Sequence, residues 1–123
     1  LKYTVAFYIA GLHVNPIEMG SNGPLNPILG ETYYAEKEDG TKIWCEQITH
    51  HPPVTAYILE HNQGAYRVHG TGETIAKMAG MNGIDAKRAG EVVLEFKDDA
   101  KIFVKCPEMR IDGLVMGDRT INY

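Results

Sequence analysis

The chain has 123 residues, which suits a single domain, since domains cluster at roughly 100 to 150 residues. Its 44% hydrophobic and 23% charged residues fit a globular protein that can build an apolar core without metal or disulfide staples. The net charge of -4, with no stripe of Lys and Arg, excludes the footprint that a nucleic-acid backbone requires, so no nucleic-acid partner is expected.

From Leu1 to Val14 the sequence is almost wholly apolar, with Leu1, Val5, Tyr8, Ile9 and Leu12 at helical spacing. This predicts a buried helix, while the β-branched and aromatic content keeps a buried strand as the alternative. Asn15 to Gly30 holds Pro16, Gly20, Gly23, Pro24, Pro27 and Gly30 and reads as a loop. After Glu31, short runs of β-formers alternate with turn signals, as in an antiparallel meander. Thr32 to Glu38 and Thr41 to Ile48 flank Asp39-Gly40, a dipeptide that favours a two-residue type I′ hairpin. Further strands are predicted at about Val54 to Leu59, Ala65 to Thr71, Thr74 to Met78, Met81 to Lys87, Glu91 to Lys97 and Lys101 to Cys106. Met109 to Met116 is one more candidate, and Gly117 to Tyr123 gives no clear signal. Val92, Leu94 and Phe96 alternate with Val93, Glu95 and Lys97, so one face of that strand is buried and the other mostly wet. The expected fold class is mainly β: one N-terminal helix, then six to eight antiparallel strands in sequential order.

The apolar run Val5 to Leu12 is far short of the ~20 residues of a membrane-spanning helix, so the chain reads as soluble. Neither an initiator Met nor a basic leader precedes Leu1, so neither a signal peptide nor a native start is read there, and a fragment is expected. Cys45 and Cys106 lie far apart in apolar segments, which points to a reducing, cytoplasmic compartment.

The sharpest motif is Glu46-Gln47-Ile48-Thr49-His50-His51-Pro52-Pro53. The two prolines stiffen the strand exit and restrict the histidines before them. Imidazolium groups held there suit an anion, because both ring nitrogens donate and a nearby phosphate stabilises the charge. The plainer reading sends adjacent side chains to opposite faces, leaving one His exposed and the other a hydrogen-bonded core residue. Metal is not expected, because His50, His51, His61 and His69 lack the spacing and cysteine partners of zinc motifs. Nor is an enzyme expected: Ser21, the only serine, has no Gly-x-Ser-x-Gly elbow, and Cys45 sits beside Trp44. No cofactor is implied.

Asn-Pro-Ile-Leu-Gly-Glu-Thr at Asn26 to Thr32, followed by the Glu46 to Pro53 segment, resembles the lipid-transfer domain of the oxysterol-binding-protein-related proteins. Glu46, Gln47, Ile48, Thr49, His50, His51, Pro52 and Pro53 match the family fingerprint, with Ile48 and Thr49 where Val and Ser are usual. Ile111-Asp112-Gly113 is similar to the family's Ile-Glu-Gly strand. The resemblance covers nearly the whole chain but well under half of the family's domain, an incomplete antiparallel barrel around a lipid tunnel closed by an N-terminal lid. It implies that residues 1–123 are a partial domain, a fragment or shortened member. The implied activity is exchange of a sterol or other lipid against phosphatidylinositol 4-phosphate between membranes, in the cytoplasm and peripherally at membrane contact sites. The implied headgroup site is His50 and His51 for the inositol-bound phosphate, with Leu25 and Asn26 in the loop beside it. Gly23 stands where the family usually has a phosphate-pairing Lys; losing one charge-assisted contact removes about 1.5 to 3 kcal/mol. Lys2 and Lys42 are not in motif positions to replace it. The alternative is a truncated, non-transferring interaction or structural module, because an open meander leaves strand edges and an apolar face for a second copy or a protein partner to cover.

Overall fold

The computed structural model describes residues 1–18 and 27–123, with backbone alone for residues 11–18. Half of the predicted loop from Asn15 to Gly30, residues 19–26 with Gly23, Leu25 and Asn26, lies outside the described residues, and its first four residues, Asn15 to Glu18, are helical and not loop. The N-terminal segment is a helix, α1 (Lys2–Glu18), which runs past Pro16 before ending. The helix continues for only half a turn beyond this proline, which lacks the donor of a helical hydrogen bond. The expected burial fails: Tyr3 is 86% and Phe7 75% exposed, and of the first ten residues only Thr4 and Tyr8 are half-buried. Leu1, Thr4, Val5, Tyr8 and Ile9 instead form one wall of a cleft whose other wall is Ile102 to Pro107.

Nine strands follow: β1 (Thr32–Glu36), β2 (Lys42–His50), β3 (Pro53–Glu60), β4 (Tyr66–Met78), β5 (Gly83–Ala89), β6 (Val92–Phe96), β7 (Lys101–Val104), β8 (Glu108–Asp112) and β9 (Thr120–Asn122). They form one antiparallel sheet in the order β1-β2-β3-β4-β5-β8-β9. The mainly β class with one helix and an open sheet is as the sequence indicates, but the meander is sequential only as far as β5. The predicted strands Ala65 to Thr71 and Thr74 to Met78 are one strand, β4, whose two halves take different neighbours. Tyr66 to Gly70 pairs with β6, and Glu73 to Met78 pairs with β5. The fork between them needs glycine. A Cβ on Gly70 would meet the Glu91 carbonyl oxygen at 2.2 Å, and one on Gly90, at φ +113, would meet that of Thr71 at 2.0 Å.

The Asp39-Gly40 turn also differs from expectation. Glu36 pairs with Lys42, the Lys37 N–H donates to the Thr41 carbonyl at 2.9 Å, and the Gly40 N–H donates to that of Lys37 at 2.9 Å. Only Gly40 has positive φ, whereas type I′ requires it at both central residues. The loop is thus three residues, a turn closed by a left-handed glycine. Asp39 keeps it there by accepting the Thr41 N–H at 2.8 Å, which holds its carboxyl below the usual carboxylate range.

The register divides the sheet into two chemically distinct faces, since paired residues share a side and neighbours along a strand do not. One face carries Ala35, Ile43, Cys45, Tyr57, Leu59, Val68, Leu94, Ile102, Ile84, Ala86, Met109, Ile111 and Ile121. We call it the apolar face; Leu94, 9% exposed, is its most enclosed hydrophobic residue. The opposite face carries every ion pair found among the described residues, from Glu36–Lys42 and Glu60–Arg67 to the Lys101–Glu95–His69 and Asp85–Arg110–Asp112 clusters. Tyr34 and Trp44, with ring centroids 5.6 Å apart, lie on that charged face. The chain exposes 9230 Å², against about 6,600 Å² for a folded monomer of this size. Much of the excess comes from hydrophobic side chains outside that face, among them Tyr3, Phe7 and Ile9 on α1, Ile28 and Leu29 before β1, and Val115 and Met116 before β9, whereas the residues named on the apolar face are half-buried or buried.

Candidate functional site

The Glu46–Pro53 segment forms the end of β2, the turn His51-Pro52 and the start of β3, and the turn contains a cis peptide bond. Gln47, only 2% exposed, anchors it. The Gln47 side-chain amide donates to the Thr49 carbonyl at 2.8 Å, and its oxygen accepts the Thr55 hydroxyl at 2.5 Å. Its backbone holds the preceding loop: the Gly30 N–H donates to the Gln47 carbonyl at 2.8 Å, and the Gln47 N–H donates to that of Glu31 at 3.0 Å. Glu31 closes the loop on itself, its carboxylate accepting the Ile28 N–H at 2.9 Å. Pro27 to Glu31 is therefore fastened beside the His-His-Pro-Pro turn. The Thr49 hydroxyl donates to the Pro52 carbonyl and ties the turn across its mouth.

Between Gln47 and Thr49 the pairing slips by one residue: Gln47 lies opposite Thr55, but Thr49 lies opposite Val54 and His50 opposite Pro53. Ile48 is the extra residue of a β-bulge. Without it His50 would share the charged face with Trp44 and Glu46; with it, His50 takes a register position on the apolar face. Both histidines are exposed, and their ring centroids are 4.5 Å apart. Neither has a hydrogen-bond or ion-pair partner among the described residues. The expectation of one exposed and one core histidine is thereby corrected: the bulge and turn bring adjacent residues to one spot. Glu46 lies on the charged face and Ile48 is exposed in the bulge. Leu25 and Asn26 lie outside the described residues. No group of three or more His, Cys, Asp or Glu residues suited to a metal occurs among the described residues.

A cavity of about 730 Å³ opens on the apolar face next to this turn, lined by Gln47, Pro53, Thr55, Tyr57, Thr74 and Arg88 among others. Sequence reasoning missed Arg88. The signal was available in β5, where Ile84, Ala86 and Arg88 alternate with Asp85, Lys87 and Ala89, so that a cation occupies an apolar-face position.

A sequence model of the family described as Oxysterol-binding protein matches residues 1–123. Oxysterol-binding protein 9 of Dictyostelium discoideum is 34% identical over 100% of this chain and 28% of its own length. Oxysterol-binding protein-related protein 8 of Homo sapiens is 29% identical over 99% of this chain and 14% of its own. This chain thus spans under a third of these relatives. The crystal structure of Osh3 ORD in complex with PI(4)P from Saccharomyces cerevisiae matches with a TM-score of 0.84 at 27% identity, over 98% of this chain and 32% of that one. Osh1 ORD domain in complex with cholesterol matches with a TM-score of 0.70 at 26% identity, over 80% of this chain and 24% of that one. With the forked antiparallel sheet and the His-His-Pro-Pro turn in place, and a family match running its full length, the chain belongs to the oxysterol-binding protein family.

Proposed function

We propose that residues 1–123 are part of a lipid-binding domain that holds apolar lipid on the open face of the sheet and the phosphate of phosphatidylinositol 4-phosphate at His50 and His51. The observation that carries this reading is the pair of exposed imidazoles, 4.5 Å apart and without partners among the described residues, in the turn whose flanking Gln47 and Pro53 line the cavity. Two adjacent rings can each give an N–H to one phosphate. Leu25 and Asn26, outside the described residues, are the further headgroup contacts this reading takes from the family resemblance. Acyl chains or a sterol lie on the apolar face at about 25 cal/mol per Å² buried. The domain binds and releases its cargo without making or breaking bonds, exchanging phosphatidylinositol 4-phosphate against a sterol or other lipid between membranes. Among the described residues no helix is long and apolar enough to cross a membrane, and the proposed location is cytoplasmic and peripheral. The test is flotation with phosphatidylinositol 4-phosphate liposomes: the chain floats and the His50→Ala/His51→Ala variant does not. Equal flotation of both defeats the reading.

The single open sheet, with no second layer of strands over its apolar face, favours a second reading, a module that self-associates or docks on a protein through that face. Sedimentation at several concentrations tests it; a monomer at every concentration rules out self-association.

A further inference from the structure

Taken strand by strand, the register gives the apolar face a single formally charged side chain in the strands, Arg88. It lies opposite Thr74 on β4, three strands from His50 and hence about 14 Å away at the usual strand spacing. Its guanidinium is laid over β4: the position of a Cβ on Gly72 is 3.7 Å from one of its terminal nitrogens and 3.9 Å from Nε. A Cβ at position 72 would make ordinary van der Waals contact with it. Arg88 has no ion pair or hydrogen bond to any described residue. Its charge is nonetheless felt by Tyr57 on β3 and Tyr8 on α1, where burial pushes both phenols above their usual range and Arg88 acts in the opposite direction. Thr55, Tyr57 and Thr74 line the same cavity as Arg88, together with Ile43 and Cys45, while Tyr8 lines the neighbouring cleft between α1 and Ile102 to Pro107.

We propose that Arg88 is the anchor of a second anion subsite, separate from the histidine pair, and that the cargo held there is an amphipathic lipid ending in a carboxylate. The guanidinium fork matches a carboxylate bidentately, and the phenol and threonine hydroxyls can donate to its remaining lone pairs. A phosphomonoester brings up to two charges, and no second Lys or Arg lines this cavity. A neutral sterol hydroxyl would leave the cation uncompensated beside an apolar body. This deepens the lipid-binding reading by naming the class of cargo, and it rests on that reading.

The test uses cis-parinaric acid, its methyl ester, a phosphomonoester lipid of equal chain length and a fluorescent neutral sterol, each titrated into the chain. The acid is expected to bind roughly ten- to a hundred-fold more tightly than the ester, the range of one charge-assisted contact. Arg88→Gln should lose that preference, Arg88→Lys should keep part of it, and Lys87→Gln, a charge removed from the opposite face, should leave it intact; circular dichroism confirms that each variant folds. Equal binding of acid and ester, unchanged acid binding by Arg88→Gln, or an equal loss in Lys87→Gln overturns the carboxylate assignment while leaving lipid binding standing. Tighter binding of the phosphomonoester at Arg88 overturns it in favour of phosphate. Failure of all four lipids to bind defeats both the assignment and the lipid-binding reading.

Discussion

Replacing Gln47 with Leu tests how the candidate site is held together. The side chain is buried and makes two hydrogen bonds, one to the Thr49 carbonyl and one from the Thr55 hydroxyl. Each contributes about 1 kcal/mol net, and a buried group left without its partner adds a further penalty. Thr49 is exposed, so water can take over its carbonyl, whereas Thr55 is half-buried and its hydroxyl is left facing a methyl group. The expected loss is therefore about 2 to 3 kcal/mol. In urea denaturation followed by circular dichroism, the midpoint should fall with an unchanged slope, as a loss of contacts without a change in exposed area requires. The decisive arm is the double variant Gln47→Leu/Thr55→Val. Removing both partners of a hydrogen bond costs less than orphaning one, so the double variant should be no less stable than Gln47→Leu alone. A single-variant loss under about 0.5 kcal/mol, or strictly additive losses in the double variant, refutes the anchoring role.

Gly90→Ala should abolish folding or cost more than about 3 kcal/mol, because its Cβ would strike the Thr71 carbonyl at 2.0 Å and φ is +113. Gly80→Ala, with φ +75 but nothing within 4 Å, should cost about 1 kcal/mol; similar soluble yields and urea midpoints for the two would contradict the steric account of the fork. Asp39, held down by the Thr41 N–H, and Glu95, held down by the Lys101 ammonium, both have folded values below their unfolded ones. Their stabilisation is present above the ordinary carboxylate value and is lost as pH falls through the lowered one. Acid unfolding should consequently be shallower in Asp39→Asn, and an unchanged acid limb would count against the turn's hydrogen bond. Deleting the bulge residue Ile48 should move His50 to the charged face and abolish phosphoinositide-liposome flotation while a folded spectrum remains; retained flotation would show that the bulge is not what aims the histidine.

The alternation in Lys101 to Val104 was legible because strand burial has a period of two, and Ile102 and Val104 are half-buried between exposed Lys101 and Phe103; in Val92 to Phe96 the expected wet face is not found, since Val93 and Glu95 are as half-buried as Val92 and Phe96. The His-His-Pro-Pro segment was legible as a rigid exit because proline acts on its immediate neighbours. The burial of α1 was misread: apolar spacing says that a helix has a face to cover, but not whether this stretch of chain supplies the cover. The Asp39-Gly40 dipeptide marked the place of the turn and not its type, since Glu38 joins the loop and Lys37 pairs with Thr41.

By itself, then, the sequence determined the local matters: which runs extend, where they turn, and which residues form the family's fingerprint. Tertiary structure alone decided that β4 is shared between two partners and that a single bulged residue turns His50 from the charged face to the apolar one. The physical reason is common to both. Which side of a sheet a residue occupies depends on the register of pairing with strands far away in sequence, and one residue of slip reverses it.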